Sequence, residues 1–306
     1  MRAPGAQRQH AISTTMEHMK TQGRIQTGAG EVFWEQRGDG PGTPLVCVHG
    51  GPGFTAHYLE PLFDLADDAP VILYDQAGCG RSRTAGQRRA FSLASFVDEL
   101  EDLRCALGIG QMALLGHSFG GAIAGEYALA HPSRVSRIIF ACVSIDIPRW
   151  VADGERLVSK LPLMTRMILG EGKRGGDIDS PAYQGALAEY YARHVYGVSP
   201  LPDSIIRSIS ESDPLTYSVA WGPNELTVTG LASGYSLSPR LGDLPCSSLF
   251  VCGRNDEATP EAHEFFASQA PGARCVIFEE SAHHPQITER ERFVKTVRDF
   301  LAEPAR

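Results

Sequence analysis

Met112-Ala113-Leu114-Leu115-Gly116-His117-Ser118-Phe119-Gly120-Gly121-Ala122 reads as an apolar strand that ends at a serine between two glycines and turns at once into a small-residue helix. In Gly-x-Ser-x-Gly the chain reverses from strand to helix within a few residues. That forces the serine into a strained backbone conformation and crowds its neighbours. Gly116 and Gly120 answer the crowding, and Gly121 and Ala122 let the helix pack close to the sheet. The Ser118 hydroxyl is then exposed above the sheet edge. Behind it the first amides of the helix, beginning with Phe119, are unpaired donors at the positive end of the helix dipole. The stretch predicts an α/β architecture with a nucleophile at a strand C-terminus.

Outward from this point the same alternation recurs. Glu31 to Arg37 alternates like a half-buried strand and is closed by Gly38-Asp39-Gly40-Pro41-Gly42, which suits an early antiparallel strand. Pro44 to Val48 and Val71 to Tyr74 are continuous apolar runs, as in strands buried on both faces. Each opens into a glycine-rich loop, His49-Gly50-Gly51-Pro52-Gly53 and Asp75-Gln76-Ala77-Gly78-Cys79-Gly80-Arg81-Ser82, and such loops carry sites in parallel sheets. Between Ser92 and Leu107, Phe96, Leu100, Leu103 and Leu107 share one helical face. Asp98, Glu99, Glu101 and Asp102 are expected on a solvated face. After the strand Val135 to Val143 the alternation stops. From Ile145 to about Gly234 the chain offers helical segments broken by Pro148, Pro162, Pro181, Pro200, Pro202 and Pro214. Alternation resumes with Ser248 to Cys252, a helix near Glu261 to Ala270, the strand Arg274 to Phe278 and a final helix from about Thr288 to Leu301. The expected organisation is a loose extension over 1–22, an α/β core over 23–144 and 235–306, and a helical insertion over 145–234.

With 21% charged residues, a net charge of −8 and no long block of either sign, the chain does not read as a nucleic-acid binder. A small-molecule or short-peptide partner is expected. Cys47, Cys142 and Cys252, among seven cysteines, lie inside apolar runs, as reduced structural cysteines do, which points to the cytoplasm. Met1 to Gln22 lacks the apolar core of a signal peptide, and no stretch approaches the roughly 18 apolar residues of a membrane span. No Cys-x-x-Cys or zinc-type His/Cys spacing occurs, so neither metal nor cofactor is expected.

A serine hydroxyl needs a base within hydrogen-bond reach and a carboxylate that orients the base. Both should come after Ser118 on later strand ends, the acid first. Asp256 lies just past the run ending at Cys252, and His283 and His284 lie just past the strand ending at Phe278. The second oxyanion donor belongs on the loop after the first buried strand, where Gly51 is the candidate beside the amide of Phe119.

Together, His49 to Gly53, Asp75 to Ser82, Gly116 to Gly121, Gly222-Pro223-Asn224-Glu225-Leu226-Thr227-Val228-Thr229-Gly230 and Gly253-Arg254-Asn255-Asp256-Glu257-Ala258-Thr259-Pro260 resemble the prolyl aminopeptidase group of α/β-hydrolases. That group, also called proline iminopeptidases, includes the tricorn-interacting aminopeptidase and related amino-acid amidases. The resemblance covers about residues 25 to 302. It implies a mostly parallel sheet with helices on both faces, an inserted helical cap, and release of an N-terminal residue from substrates with a free amino group. His283-His284-Pro285 resembles the His-x-Pro turn of these hydrolases, which selects His283 over His284. The resemblance also implies that Glu225 and Glu257 bind the α-ammonium group. Two departures bear on side-chain preference: Leu231-Ala232-Ser233-Gly234-Tyr235-Ser236 stands where the group usually runs toward Trp-Asp, and Ala77 where arginine is frequent. A serine esterase or aminoacyl transferase would use the same Ser118, Asp256 and His283 with another acceptor. Aspartate-dependent epoxide and haloalkane hydrolases do not match a serine at this position.

Overall fold

The computed structural model describes residues 19–85 and 91–304. Its strands are β1 (Lys20–Gln26), β2 (Glu31–Arg37), β3 (Leu45–Val48), β4 (Val71–Asp75), β5 (Met112–His117), β6 (Val135–Ala141), β7 (Ser248–Gly253) and β8 (Arg274–Phe278). They form one sheet in the order β1-β2-β4-β3-β5-β6-β7-β8. Pairing is antiparallel from β1 to β2 and β2 to β4 and parallel elsewhere. The apolar runs explain the middle of the sheet, since every residue of β3, β4, β5 and β7 is buried. Helices α1 (Leu93–Ala106), α2 (Phe119–Ala130), α8 (Pro260–Gln269) and α10 (Arg290–Leu301) flank the sheet.

Between β6 and β7 the described residues hold α3 (Ile147–Val158), α4 (Leu163–Lys173), α5 (Pro181–Tyr191), α6 (Asp203–Ser210) and α7 (Pro214–Ala220), but no strand. A π-helical turn, Ala192–Tyr196, extends α5. This insertion has its own apolar cluster around Leu157, Leu169, Tyr183, Leu187 and Tyr190.

Three expectations need correction. Lys20 to Gln22, assigned to a loose extension, are paired in β1 opposite Arg37 to Glu35, while residues 1–18 lie outside the described residues. β1 is a polar edge strand, so no apolar run marked it. The acidic face of α1 is not simply solvated. Glu99 is buried, because it lies between Phe96 and Leu103 on the inward face, and it accepts the amide of Ala77 (3.1 Å) in the loop after β4. Glu101 accepts the Tyr127 hydroxyl (2.6 Å) and Asp102 the amide of Gly28 (3.0 Å), so three of the four carboxylates fasten neighbouring elements. Finally, the last helix begins at Arg290, after a short turn α9 (Pro285–Thr288).

Candidate active site

Ser118 follows β5 directly, with φ 54° and ψ −125°, and caps α2. The glycines beside it are required by close approach rather than by flexibility. A Cβ on Gly116 would lie 2.4 Å from the Gly120 carbonyl oxygen, and one on Gly120 would lie 2.2 Å from that of Val48. The loop after β3 is pressed against the serine, since a Cβ on Gly50 would meet Ser118 Cβ at 2.7 Å.

Asp256 comes after β7 and His283 after β8, so both reach the same sheet edge as Ser118. The Nδ1–H of His283 donates to Asp256 Oδ1 (2.7 Å), which also accepts the amide of Ala258 (2.8 Å). An imidazole held at Nδ1 by a carboxylate presents Nε2 as an acceptor. Burial would raise the Asp256 pKa, but the charge and hydrogen bond of His283 and the Cys142 thiol outweigh it and hold the carboxyl below its usual range. His284 is placed differently: its ring stacks on His117 (centroids 5.5 Å apart) and its Nδ1 faces Gln286 (3.3 Å). The structure therefore pairs His283, not its neighbour, with Asp256.

Tyr58 and His117 hold this arrangement. The Gly50 amide donates to Tyr58 Oη (2.7 Å), the Tyr58 hydroxyl donates to His117 Nδ1 (3.1 Å), and His117 Nε2–H donates to the His283 carbonyl (2.8 Å). This chain of bonds ties the loop after β3 to the loop after β8 beneath Ser118. Burial first, and then the His283 ring, lower the His117 pKa to about 3, so it stays neutral in this role. Tyr58→Phe leaves the Gly50 amide and His117 Nδ1 unpaired, and we expect a loss of about 1–3 kcal/mol of stability, read from the urea midpoint.

Cys142, read from sequence as a buried structural thiol, has φ 53° and shares with Ser118 the distinction of positive φ without being glycine, among the described residues. Its Sγ, an Asp256 oxygen and a His283 ring nitrogen lie within 4.8 Å of one another. Burial pushes the thiol pKa well above the normal range and the Asp256 charge adds to this, so the thiol stays protonated beside Asp256. A neutral thiol beside an already bonded Asp–His pair is a poor metal ligand.

Ser118, His283, Gly51, Glu225 and Glu257 line one cavity of about 430 Å³. Glu225 Oε1 accepts the Tyr217 hydroxyl (2.8 Å), and its carbonyl accepts the Trp150 indole N–H (3.0 Å). Buried Glu257 has no hydrogen-bond partner at Oε2 among the described residues. Both pKa values are raised: by burial at Glu225, and at Glu257 by burial and then by the charges of Glu225 and Asp256. The π-helical turn braces the Glu257 and His283 segments, its His194 carbonyl accepting the Glu257 amide (3.1 Å) and its Val195 carbonyl the His283 amide (3.1 Å). π-turns inside helices are frequent at functional sites. Of the insertion's aromatics, Tyr191, Tyr196 and Tyr217 line the cavity, joined by Phe54 and Tyr58 from the core. Among the described residues, neither departure, Ala77 nor Leu231 to Ser236, lines it.

Residues 43–290 match the family model described as alpha/beta hydrolase fold. The chain is 36% identical over 285 residues to a proline iminopeptidase of Heyndrickxia coagulans, covering 92% of this chain and 99% of that protein. The crystal structure of a proline iminopeptidase of Mycobacterium smegmatis superposes with a TM-score of 0.83 at 30% identity, covering 92% and 97% of the two chains. That of VinJ superposes with a TM-score of 0.85 at 29% identity, covering 92% and 98%.

Proposed function

The chain belongs to the alpha/beta hydrolase fold family, among relatives named proline iminopeptidase, and from that membership we propose that it is a serine aminopeptidase releasing N-terminal proline. The substrates are short peptides or amino-acid amides with a free amino group. The observation that carries the reading is the pair Glu225 and Glu257, placed in one cavity with Ser118 and both disfavoured as anions there. Two carboxylates whose charge is poorly solvated are stabilised by a cation brought to them with N–H donors. An N-terminal ammonium supplies both, and an internal peptide bond supplies no cation.

In this mechanism Ser118 Oγ attacks the carbonyl of the first residue while His283 Nε2 takes its proton. Asp256 holds the imidazole in the required tautomer and stabilises its charged form. The oxyanion is held by the amide of Phe119, at the start of α2, and by that of Gly51, since the Gly50 amide is engaged with Tyr58. His283 then protonates the departing amine, and water, activated by the same ring, releases the aminoacyl group from Ser118. We take residues 145–234 as a cap over a core of 23–144 and 235–306, with the cap contributing Glu225. All seven cysteines are free, which fits a reducing compartment, and we place the enzyme in the cytoplasm. Among the described residues no helix is long and apolar enough to cross a membrane.

A fluorophosphonate is expected to label the enzyme once, at Ser118, with activity falling in proportion to labelling. Activity that survives full labelling contradicts the mechanism. With prolyl arylamides, free proline should remain the product when a competing amine is present; a prolyl amide of that amine would instead mark a transferase.

A further inference from the structure

The cavity is far from uniform along its length. Sheet order puts β3 on one side of β5 and β7 on the other, so Ser118 stands between the loop after β3 and the loop carrying Glu257. Above the loop after β3 lies α6 with the start of α7. Thr55 Oγ1 donates to Ser208 Oγ (3.1 Å), and the Asp213 amide donates to the Gly53 carbonyl (2.8 Å). This wall faces the cavity with Phe54, Ile205, Ile209 and Pro214, across Ser118 from Glu257. Its hydroxyls are already engaged: Ser212 Oγ donates to the Ile209 carbonyl (2.7 Å) and Ser218 Oγ to that of Leu215 (3.1 Å). The apolar character continues outward through Ile206 and Leu215, which are 48% and 39% exposed.

Among the described residues, no lysine or arginine lines the cavity. The cations that meet the segment bearing this wall are held by acceptors outside the cavity's charged set. Arg207 faces Glu60 (3.9 Å) and Glu211 (3.8 Å), and Arg83 donates to the carbonyls of Glu211 and Ser212.

We infer that the leaving-group side of the cavity takes an uncharged, apolar amine, so that the enzyme acts on N-terminal aminoacyl amides of hydrophobic amines in preference to dipeptides. The inference rests on the aminopeptidase reading above, which puts the ammonium at Glu225 and Glu257 and therefore the departing amine on the opposite side of Ser118. The reaction stays amide hydrolysis, with water supplying hydroxyl to the acyl group and a proton to the amine. A dipeptide would place its carboxylate against Ile205 and Ile209 with no opposite charge, and desolvation of that anion would go uncompensated. An alkyl or aryl group would gain from the same burial.

The test uses the full-length enzyme and two matched series, prolyl n-alkylamides from propyl to octyl and prolyl ω-aminoalkanoates of the same lengths. The alkylamide kcat/KM is expected to rise about three- to fourfold per methylene, mainly through KM, until the wall is covered. Each carboxylate analogue should be at least about tenfold poorer than its alkylamide partner. Ile209→Lys, at a position 36% exposed, should selectively raise turnover of the carboxylate series. A kcat/KM independent of chain length, or carboxylates turned over as well as alkylamides, overturns the inference. N-acetylated members of the alkylamide series separate it from its premise: if they are cleaved as well as the free amines, the ammonium reading fails, whereas chain-length dependence reports only on the leaving-group side.

Discussion

Ser118→Ala lowers kcat on prolyl arylamides by about 10⁴- to 10⁶-fold, measured as arylamine release, with substrate binding retained. Loss of a serine nucleophile removes the covalent route altogether, and the rate that survives comes from the oxyanion donors and from positioning. The fold should persist, because the serine side chain is not what holds the turn. The turn is held by the Gly116 and Gly120 contacts and by the bond from the Ser118 amide to the Ala141 carbonyl (3.0 Å). Alanine keeps the unfavourable φ of 54° at this position, and glycine would not find it unfavourable. Ser118→Gly should therefore be as inactive as Ser118→Ala yet more stable by about 1 kcal/mol, a difference that thermal unfolding reads directly.

Glu257→Gln is expected to make the enzyme more stable and much less active. Burial, with the neighbouring charges of Glu225 and Asp256, raises the Glu257 pKa in the folded protein. In the unfolded chain a glutamate ionises near ~4.3. Between these two values the folded state binds more protons than the unfolded one, so this group's contribution to stability falls as pH rises, and above the raised value the deficit is complete. Glutamine carries no such charge. Wild type and Glu257→Gln should therefore unfold together below about pH 4 and diverge toward pH 8, with the variant higher by about 2–4 °C for each kcal/mol relieved. The same substitution removes the charge that an ammonium would meet in the cavity, so kcat/KM for free aminoacyl arylamides should fall by about 100-fold. A variant destabilised at pH 8, or as active as wild type, would contradict the role assigned to Glu257.

Much of the molecule was legible in the sequence, for physical reasons that differ from residue to residue. The central strands were readable because short, continuously apolar runs bounded by glycine turns suit strands buried on both faces. The candidate site positions were readable because Ser118, Asp256 and His283 each come just after such a run, and parallel strands deliver their C-terminal loops to one edge. Glu225 and Glu257 were reached only through resemblance, since nothing in their own neighbourhood separates a ligand-binding carboxylate from a surface one. What escaped lies where tertiary contact overrides local pattern. β1 is a strand because β2 offers it a partner, although its composition is that of a loop. Glu99 turns inward to meet the Ala77 amide, 22 positions earlier in the chain, and no helical periodicity signals that need for an acceptor. Tyr58 and His117 meet through a fold that brings residues 59 positions apart within 3.1 Å. The apolar wall of α6 likewise has no sequence mark, because its meaning depends on which side of Ser118 it occupies.

The central claim is that Ser118 is reached by way of a free amino group read by Glu225 and Glu257. Its most direct test is the ratio of kcat/KM for prolyl arylamide to that for the N-acetylated compound, with one enzyme and one leaving group. Acetylation removes the cation and leaves buried Glu257 and half-buried Glu225 facing a neutral amide, so the ratio is expected to be about 10³ or greater. Equal turnover of the two compounds would contradict the account and leave a serine hydrolase without amine recognition.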